Sequence, residues 1–193
     1  DGNGGTATQA IAVTVTNANE APVITSAATV SVAENQTSAI TVTSTDVDGG
    51  TAVHSITGGA DQTLFSINSS TGVLSFNAAP NFEIPTDAGA NNVYDVTVQV
   101  ADGNGGVDTQ TITVAVSDIN EAPGNIQPTS AALSEQAPAG TVVAIVTASD
   151  PDAGDLFTFT LVSDGAGRFV VDPASGSLQV APGAVLDFET APS

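Results

Sequence analysis

The chain has 193 residues, with 21 Asp plus Glu against 1 Lys plus Arg, for a formal net charge of -20. Such a surface cannot neutralise nucleic-acid phosphates, which takes Lys and Arg, and anionic membranes repel it. With no Cys and one His, it can form neither a disulfide framework nor a thiolate metal centre, and zinc lacks its preferred ligands.

A chain this acidic repels itself when compact, so a counter-charge is needed, and divalent cations are the natural one. No apolar run approaches the roughly 18 residues of a membrane span, and no basic leader opens the chain. Direct membrane insertion is therefore not expected. Residue 1 falls inside a motif that recurs later, so the chain reads as an interior piece of a longer polypeptide.

In chain order the apolar residues follow a period of two. Ile11, Val13 and Val15 alternate in the opening stretch. Short strands are expected over 23–25, 29–32, around Ile40 and Val42, and over 52–57, 64–67 and 73–76. Two longer ones follow. In the first, Tyr94, Val96, Val98 and Val100 alternate with Asp95, Thr97 and Gln99; in the second, Ile112, Val114 and Val116 alternate with Thr111, Thr113 and Ala115. Thr, Val and Ile suit a pleated, half-buried surface. Gly and Asn/Asp clusters at 46–50, 58–61, 68–72 and 102–106 mark the turns. Beyond these, Phe157, Phe159 and Leu161, then Phe169 and Val171, then Leu178 and Val180 repeat the apolar faces and are assigned to core. About seven short strands in a hundred residues predict a Greek-key β-sandwich, and the chain is read as all-β.

The pattern repeats. D-G-N-G-G occurs at 1–5 and 102–106, N-E-A-P at 19–22 and 120–123, and Glu34 is matched by Glu135, each 101 residues on. Asp46 is matched by Asp150 and Glu83 by Glu189, 104 and 106 residues on, so small insertions accumulate in the second copy. Fixed-period self-similarity marks a tandem repeat. The expected division is 1–18 as the last strand of an upstream repeat, 19–120 as a complete repeat, and 121–193 as an incomplete one. The open sheet edge expected of the last repeat could pair with another chain, with the strand around Ile11, Val13 and Val15 as a donor in trans.

The recurring acids fall mostly in expected loops. One Asp there is ordinarily a turn residue, but an ordered set recurring in both copies points to a metal. Oxygen-only side chains suit a hard cation such as Ca²⁺, which takes six to eight oxygens. The stretch D-I-N-E-A-P at 118–123 concentrates such groups, and its proline stiffens the exit. An EF-hand is ruled out: it needs Glu at position twelve, where counting from Asp46, Asp102 and Asp150 gives Thr57, Thr113 and Leu161.

V-A-E-N, D-x-D-G, F-S-I-N-S-S-T-G-V-L, N-F-E, Y-D-V-T-V-Q-V-A-D-G-N-G-G and D-I-N-E-A-P, in that order, resemble the cadherin repeat over nearly the whole chain. The Ala/Thr/Val/Gly-rich style resembles cadherin-like arrays of large bacterial surface or secreted proteins. The resemblance implies tandem immunoglobulin-like, cadherin-type β-sandwiches, the last one incomplete, with Ca²⁺ at each junction. It implies that Glu34 and Glu83 meet Asp118, Asn120 and Glu121, with Asp150 and Asp152 reaching back. At an upstream junction it implies Asn17, Asn19 and Glu20 with Asp46, Asp48 and Asp102. Glu135 and Glu189 would serve a downstream one. The chain departs from the usual linker D-x-N-D-N-x-P: it is one residue shorter, has Glu121 for the second Asp, and has Asn17 in place of an upstream Asp. One or two ions per junction are expected.

The implied function is extracellular: a calcium-stiffened structural or adhesive segment at the cell surface, with calcium ions as partners and other cell-surface proteins or glycans beyond them. A glycan- or protein-binding module and a spacer of a secreted enzyme are the alternatives. No enzyme is expected, since one His, one Arg and no Lys or Cys leave a nucleophile–base pair little to use. His54 is read as a half-buried strand residue. Asn35-Gln36-Thr37 and Asn68-Ser69-Ser70 match the short N-glycosylation pattern.

Overall fold

The computed structural model describes residues 2–4, 6–129 and 132–188. The chain divides into two compact units, Asp1–Asp118 and Ile119–Ser193. The described residues are all-β apart from one 3-10 turn, Gln62–Leu64.

The first unit carries β1 (Val23–Ile24), β2 (Thr29–Ala33), β3 (Ser38–Thr41), β4 (Ser44–Thr45), β5 (Val53–Gly58), β6 (Phe65–Ile67), β7 (Val73–Phe76), β8 (Val93–Ala101) and β9 (Val107–Ser117). One sheet runs β2-β9-β8-β5, a second β3-β7-β6, and β1 pairs with β4. The long hairpin β8–β9 is in unbroken antiparallel register from Val93 opposite Ala115 to Ala101 opposite Val107. Its alternation turns Tyr94, Val96, Val98, Val100, Ile112 and Val114 inward, each 0–1% exposed. Against them pack Val42, Leu74, Phe65 and Phe76 from the other side of the sandwich. Phe65, Phe76 and Tyr94 meet edge-to-face or tilted at centroid distances of 4.4 to 6.2 Å, a geometry that adds about 0.5–1.5 kcal/mol per pair beyond area burial.

β2 pairs with β9 in parallel, Thr29 opposite Thr113 through Ala33 opposite Ser117. This carries Glu34, the residue after β2, to the end of β9, where the Glu34 N–H donates to Ser117 O at 3.0 Å. The loop between β7 and β8 is held by two buried aspartates, 4% and 6% exposed. Asp61 accepts the N–H groups of Ala88 and Asp95, and Asp87 those of Gly89, Asn91 and Asn92. Buried carboxylates this well served replace the backbone pairing a long loop lacks. His54, on β5, is 7% exposed, more buried than its sequence reading, and its Nδ1 lies 3.1 Å from Ser69 O.

The second unit carries β10 (Gly124–Pro128), β11 (Val142–Ser149), β12 (Phe169–Val171) and β13 (Ser177–Val180) in one sheet of order β10-β11-β13-β12. Val180 is fully buried. The core assignment of 157–161 holds only in part: no strand forms there and Leu161 is 36% exposed, while Phe157 and Phe159 are half-buried with ring centroids 6.2 Å apart. In the first unit the corresponding strand, β5, is buried by pairing with β8. Among the described residues no strand pairs with 157–161. Ile11, Val13 and Val15 are 81–90% exposed and belong to no strand.

Candidate metal centres

The parallel β2–β9 pair and the pinned loop bring three acids of the first unit together. Glu34, Glu83 and Asp118 each offer a carboxylate oxygen within 4.8 Å of the others'. Glu34 is 0% exposed, and its Oε2 accepts the Phe82 N–H at 2.9 Å. Phe82 is fixed in turn, because Asn92 Nδ2–H donates to its carbonyl at 2.7 Å. The next residue, Glu83, follows from that anchor; its Oε2 is shut off from solvent and accepts no hydrogen bond. No Lys or Arg lies in the first unit, since the chain's single base is Arg168.

A second group stands at the opposite side of the same unit. Asp48 receives the Asn17 Nδ2–H on Oδ1 at 2.6 Å and the Glu20 N–H on Oδ2 at 2.7 Å. The Asp48 N–H donates to Asp46 Oδ1 at 2.8 Å. Asp102, 7% exposed, receives the Asn19 Nδ2–H at 2.7 Å and the N–H groups of Asn104 and Gly106. Asn17 and Asn19 thus turn amide nitrogens, not oxygens, toward the acids. The Asn17 and Glu20 hydrogen bonds hold the Asp48 carboxyl below its ordinary range, and the Asn19 hydrogen bond does the same, first among its causes, for Asp102. Glu20 is pushed up, first by its hydrogen bond with Asp48 and then by that residue's charge.

The second unit repeats this arrangement. The Glu121 N–H donates to Asp152 Oδ2 at 2.7 Å, and the Asp152 N–H to Asp150 Oδ1 at 3.1 Å. Asn120 Nδ2–H donates to Glu121 O at 2.7 Å, as Asn19 does to Glu20 O at 3.2 Å. Here Asp155, which the sequence reading did not single out, joins Asp150 and Asp152 with carboxylate oxygens mutually within 4.8 Å. The signal was a third Asp in D-P-D-A-G-D, where the first copy has D-V-D-G-G-T. Glu135 is described but lies outside both acid groups, and Glu189 lies outside the described residues.

Two of these groups fit a hard divalent cation. The Glu34–Glu83–Asp118 and Asp150–Asp152–Asp155 groups are oxygen-only and crowded, and they include carboxylate atoms, Glu83 Oε2 and Asp152 Oδ1, that are buried without a hydrogen-bond partner, whereas the acids predicted for the upstream junction, Asp46, Asp48, Asp102 and Glu20, are not gathered in this way among the described residues. A buried charge without a partner is costly, and Ca²⁺ takes this ligand type.

A sequence profile described as "Bacterial Ig domain" matches residues 19–115, half of the chain. Mouse protocadherin Fat 4 is similar at 32% identity over 162 residues, covering 78% of this chain and 3% of that protein. Human protocadherin-16 is similar at 36% identity over 115 residues, 56% of this chain and 3% of that one. The chain thus spans about 3% of the length of these curated relatives. Among solved structures, human protocadherin-24 EC1-2 superposes with a TM-score of 0.60 at 21% identity, covering 89% of this chain and 81% of that one. Mouse cadherin-23 EC22-24 superposes with a TM-score of 0.55 at 23% identity, covering 89% and 56%. The repeat in the sequence, the β-sandwich and these similarities converge: the chain belongs to the bacterial Ig domain family and is built of cadherin-like tandem repeats.

Proposed function

We propose that the chain is a calcium-binding segment of an extracellular protein, with a structural and adhesive role and no catalytic one. The observation that carries this reading is the fully buried Glu34 carboxylate, set beside Glu83 and Asp118 in a unit without a Lys or Arg. Like charges at that spacing repel strongly where water is excluded. Glu34 and Glu83 supply buried oxygens and Asp118 an exposed one. Asp150, Asp152 and Glu121 supply those of the second unit, with Asn120 beside them. In the first unit Asp46, Asp48, Glu20 and Asp102 would have to draw together around an ion, with Asn17 and Asn19 turning their amides over to join as ligands. Bound Ca²⁺ would supply charge neutralisation alone, with no bonds made or broken.

The mechanical consequence follows from where the ligands lie in sequence. Asp118, Asn120 and Glu121 fall in six residues that end in Pro123. Anchoring these side chains removes the freedom of a short acidic segment that otherwise repels itself. Extracellular calcium modules bind at about 10⁻⁴ to 10⁻³ M. At about 1 mM Ca²⁺ and a Kd of about 0.1 mM, each site adds about 1.4 kcal/mol to stability. That is modest beside a whole sandwich and ample to order a short segment.

The test is a calcium titration of the 193-residue chain followed by calorimetry and small-angle scattering. Calcium is expected to raise Tm and narrow the distribution of maximum dimensions, and EGTA to reverse both. Identical melting and scattering with and without calcium would sink the reading.

A further inference from the structure

The loops 46–51 and 150–155 stand at matching places in the repeat and have the same length. In each, the second Asp receives the linker glutamate's N–H on Oδ2, from Glu20 to Asp48 and from Glu121 to Asp152. They differ at one atom and one residue. Asp48 Oδ1 is capped by the Asn17 amide at 2.6 Å, whereas Asp152 Oδ1 is shut off from solvent and accepts no hydrogen bond. The sixth position is Thr51 in the first loop and Asp155 in the second. The chain turns back within the second loop, and the Asp155 N–H reaches Asp152 O at 3.4 Å. That return gathers the carboxylates of Asp150, Asp152 and Asp155.

Three carboxylates in one six-residue loop repel one another, and all belong to a single unit. The first loop has two acids, one already quenched by an amide. Ligand charge count sets calcium affinity in loops of this kind.

We propose that Asp155 is a direct calcium ligand that lets the 150–155 loop capture the ion by itself, ahead of the 46–51 loop. This rests on the calcium reading above and deepens it. The first unit's loop must displace the Asn17 amide from Asp48 before that oxygen is available; the second unit's loop has nothing to displace at Asp152 Oδ1. Asp155 is exposed, so the ion can enter without opening the fold.

The experiment is a residue-resolved NMR titration of the full chain with CaCl₂ alone, on the parent sequence, Asp155→Asn and Thr51→Asp. The N–H signals of Asp150 and residues 152–155 are expected to respond at lower calcium than those of 46–51. In Asp155→Asn their midpoint should move up tenfold or more, at least the loss typical of outer-shell partners, while that of 46–51 stays. In Thr51→Asp the midpoint of 46–51 should move down. An unmoved 150–155 midpoint in Asp155→Asn overturns the proposal while leaving the calcium reading intact. No response anywhere in the parent chain overturns both.

Discussion

At Glu34 stability and the proposed calcium role meet in one residue. Its carboxylate is fully buried and accepts the Phe82 N–H. Glu34→Ala leaves that donor unserved, a loss of about 1–3 kcal/mol, expected in chelator and in calcium alike by urea unfolding. Glu34→Gln keeps an oxygen for Phe82 and removes a charge facing Glu83 and Asp118. It is expected to melt at or above the parent in EGTA, yet to lose the calcium-dependent rise in Tm; differential scanning calorimetry in both buffers separates the two effects. Asp61 and Asp87 are equally buried acids with a different role, because backbone N–H groups surround them. Sequence spacing does not distinguish these two kinds of buried acid, since each sits in a connection between strands. Only the identity of the nearest neighbours, N–H groups or other carboxylates, tells them apart.

At the scale of the element, the hairpins carry devices the repeat preserves. Gly72 and Gly176 have φ of +71° and +67°, and a Cβ on either would run into a backbone carbonyl, Val42 O or Val146 O. Each glycine's own carbonyl accepts the N–H of that same residue, at 2.8 and 2.9 Å. Gly72→Ala is therefore expected to cost more than the roughly 1 kcal/mol scale of a tolerated glycine change, read as a fall in the urea midpoint at unchanged slope. Leu74, fully buried on β7, is expected to cost about 2–5 kcal/mol on truncation to Ala. In the β12–β13 hairpin, Asp172 is held below its ordinary range, first by the Ser175 N–H and then by the Ser175 hydroxyl. A depressed folded pKa means stability that is present above the unfolded value of about 3.9 and lost as pH falls through the folded value. Asp172→Asn keeps an acceptor for Ser175 but cannot titrate, so its Tm should fall less steeply below about pH 4 than the parent's. Melting from pH 2 to 5 in calcium-free buffer reads this directly.

For the whole molecule, charge is the governing quantity. A net charge of -20 opposes compaction, and salt screens exposed charges over about 30 Å at 0.01 M but about 3 Å at 1 M. In EGTA, Tm is expected to rise with NaCl across that range. With calcium bound the same salt series should give a smaller rise, because part of the repulsion is already neutralised. A chain whose Tm ignores NaCl in EGTA would show that repulsion is not what a cation relieves.

Much of this protein was fixed by local pattern. Strict alternation from Tyr94 to Val100 and Ile112 to Val116 placed the central hairpin and its buried face, because a strand's side chains alternate whatever it pairs with. The recurrence of N-E-A-P, D-x-D and Glu34/Glu135 located the repeated acids for the same reason: the repeat is written in the chain. Pairing partners are another matter, since they join residues far apart in sequence. The parallel β2–β9 register brings Glu34 to the end of β9, the lack of a strand beside 157–161 among the described residues leaves Leu161 exposed, and the return of the 150–155 loop adds Asp155. Each depends on which strand or loop arrives from a distance, and that is decided by the packing of the sandwich, not by the period of any one segment.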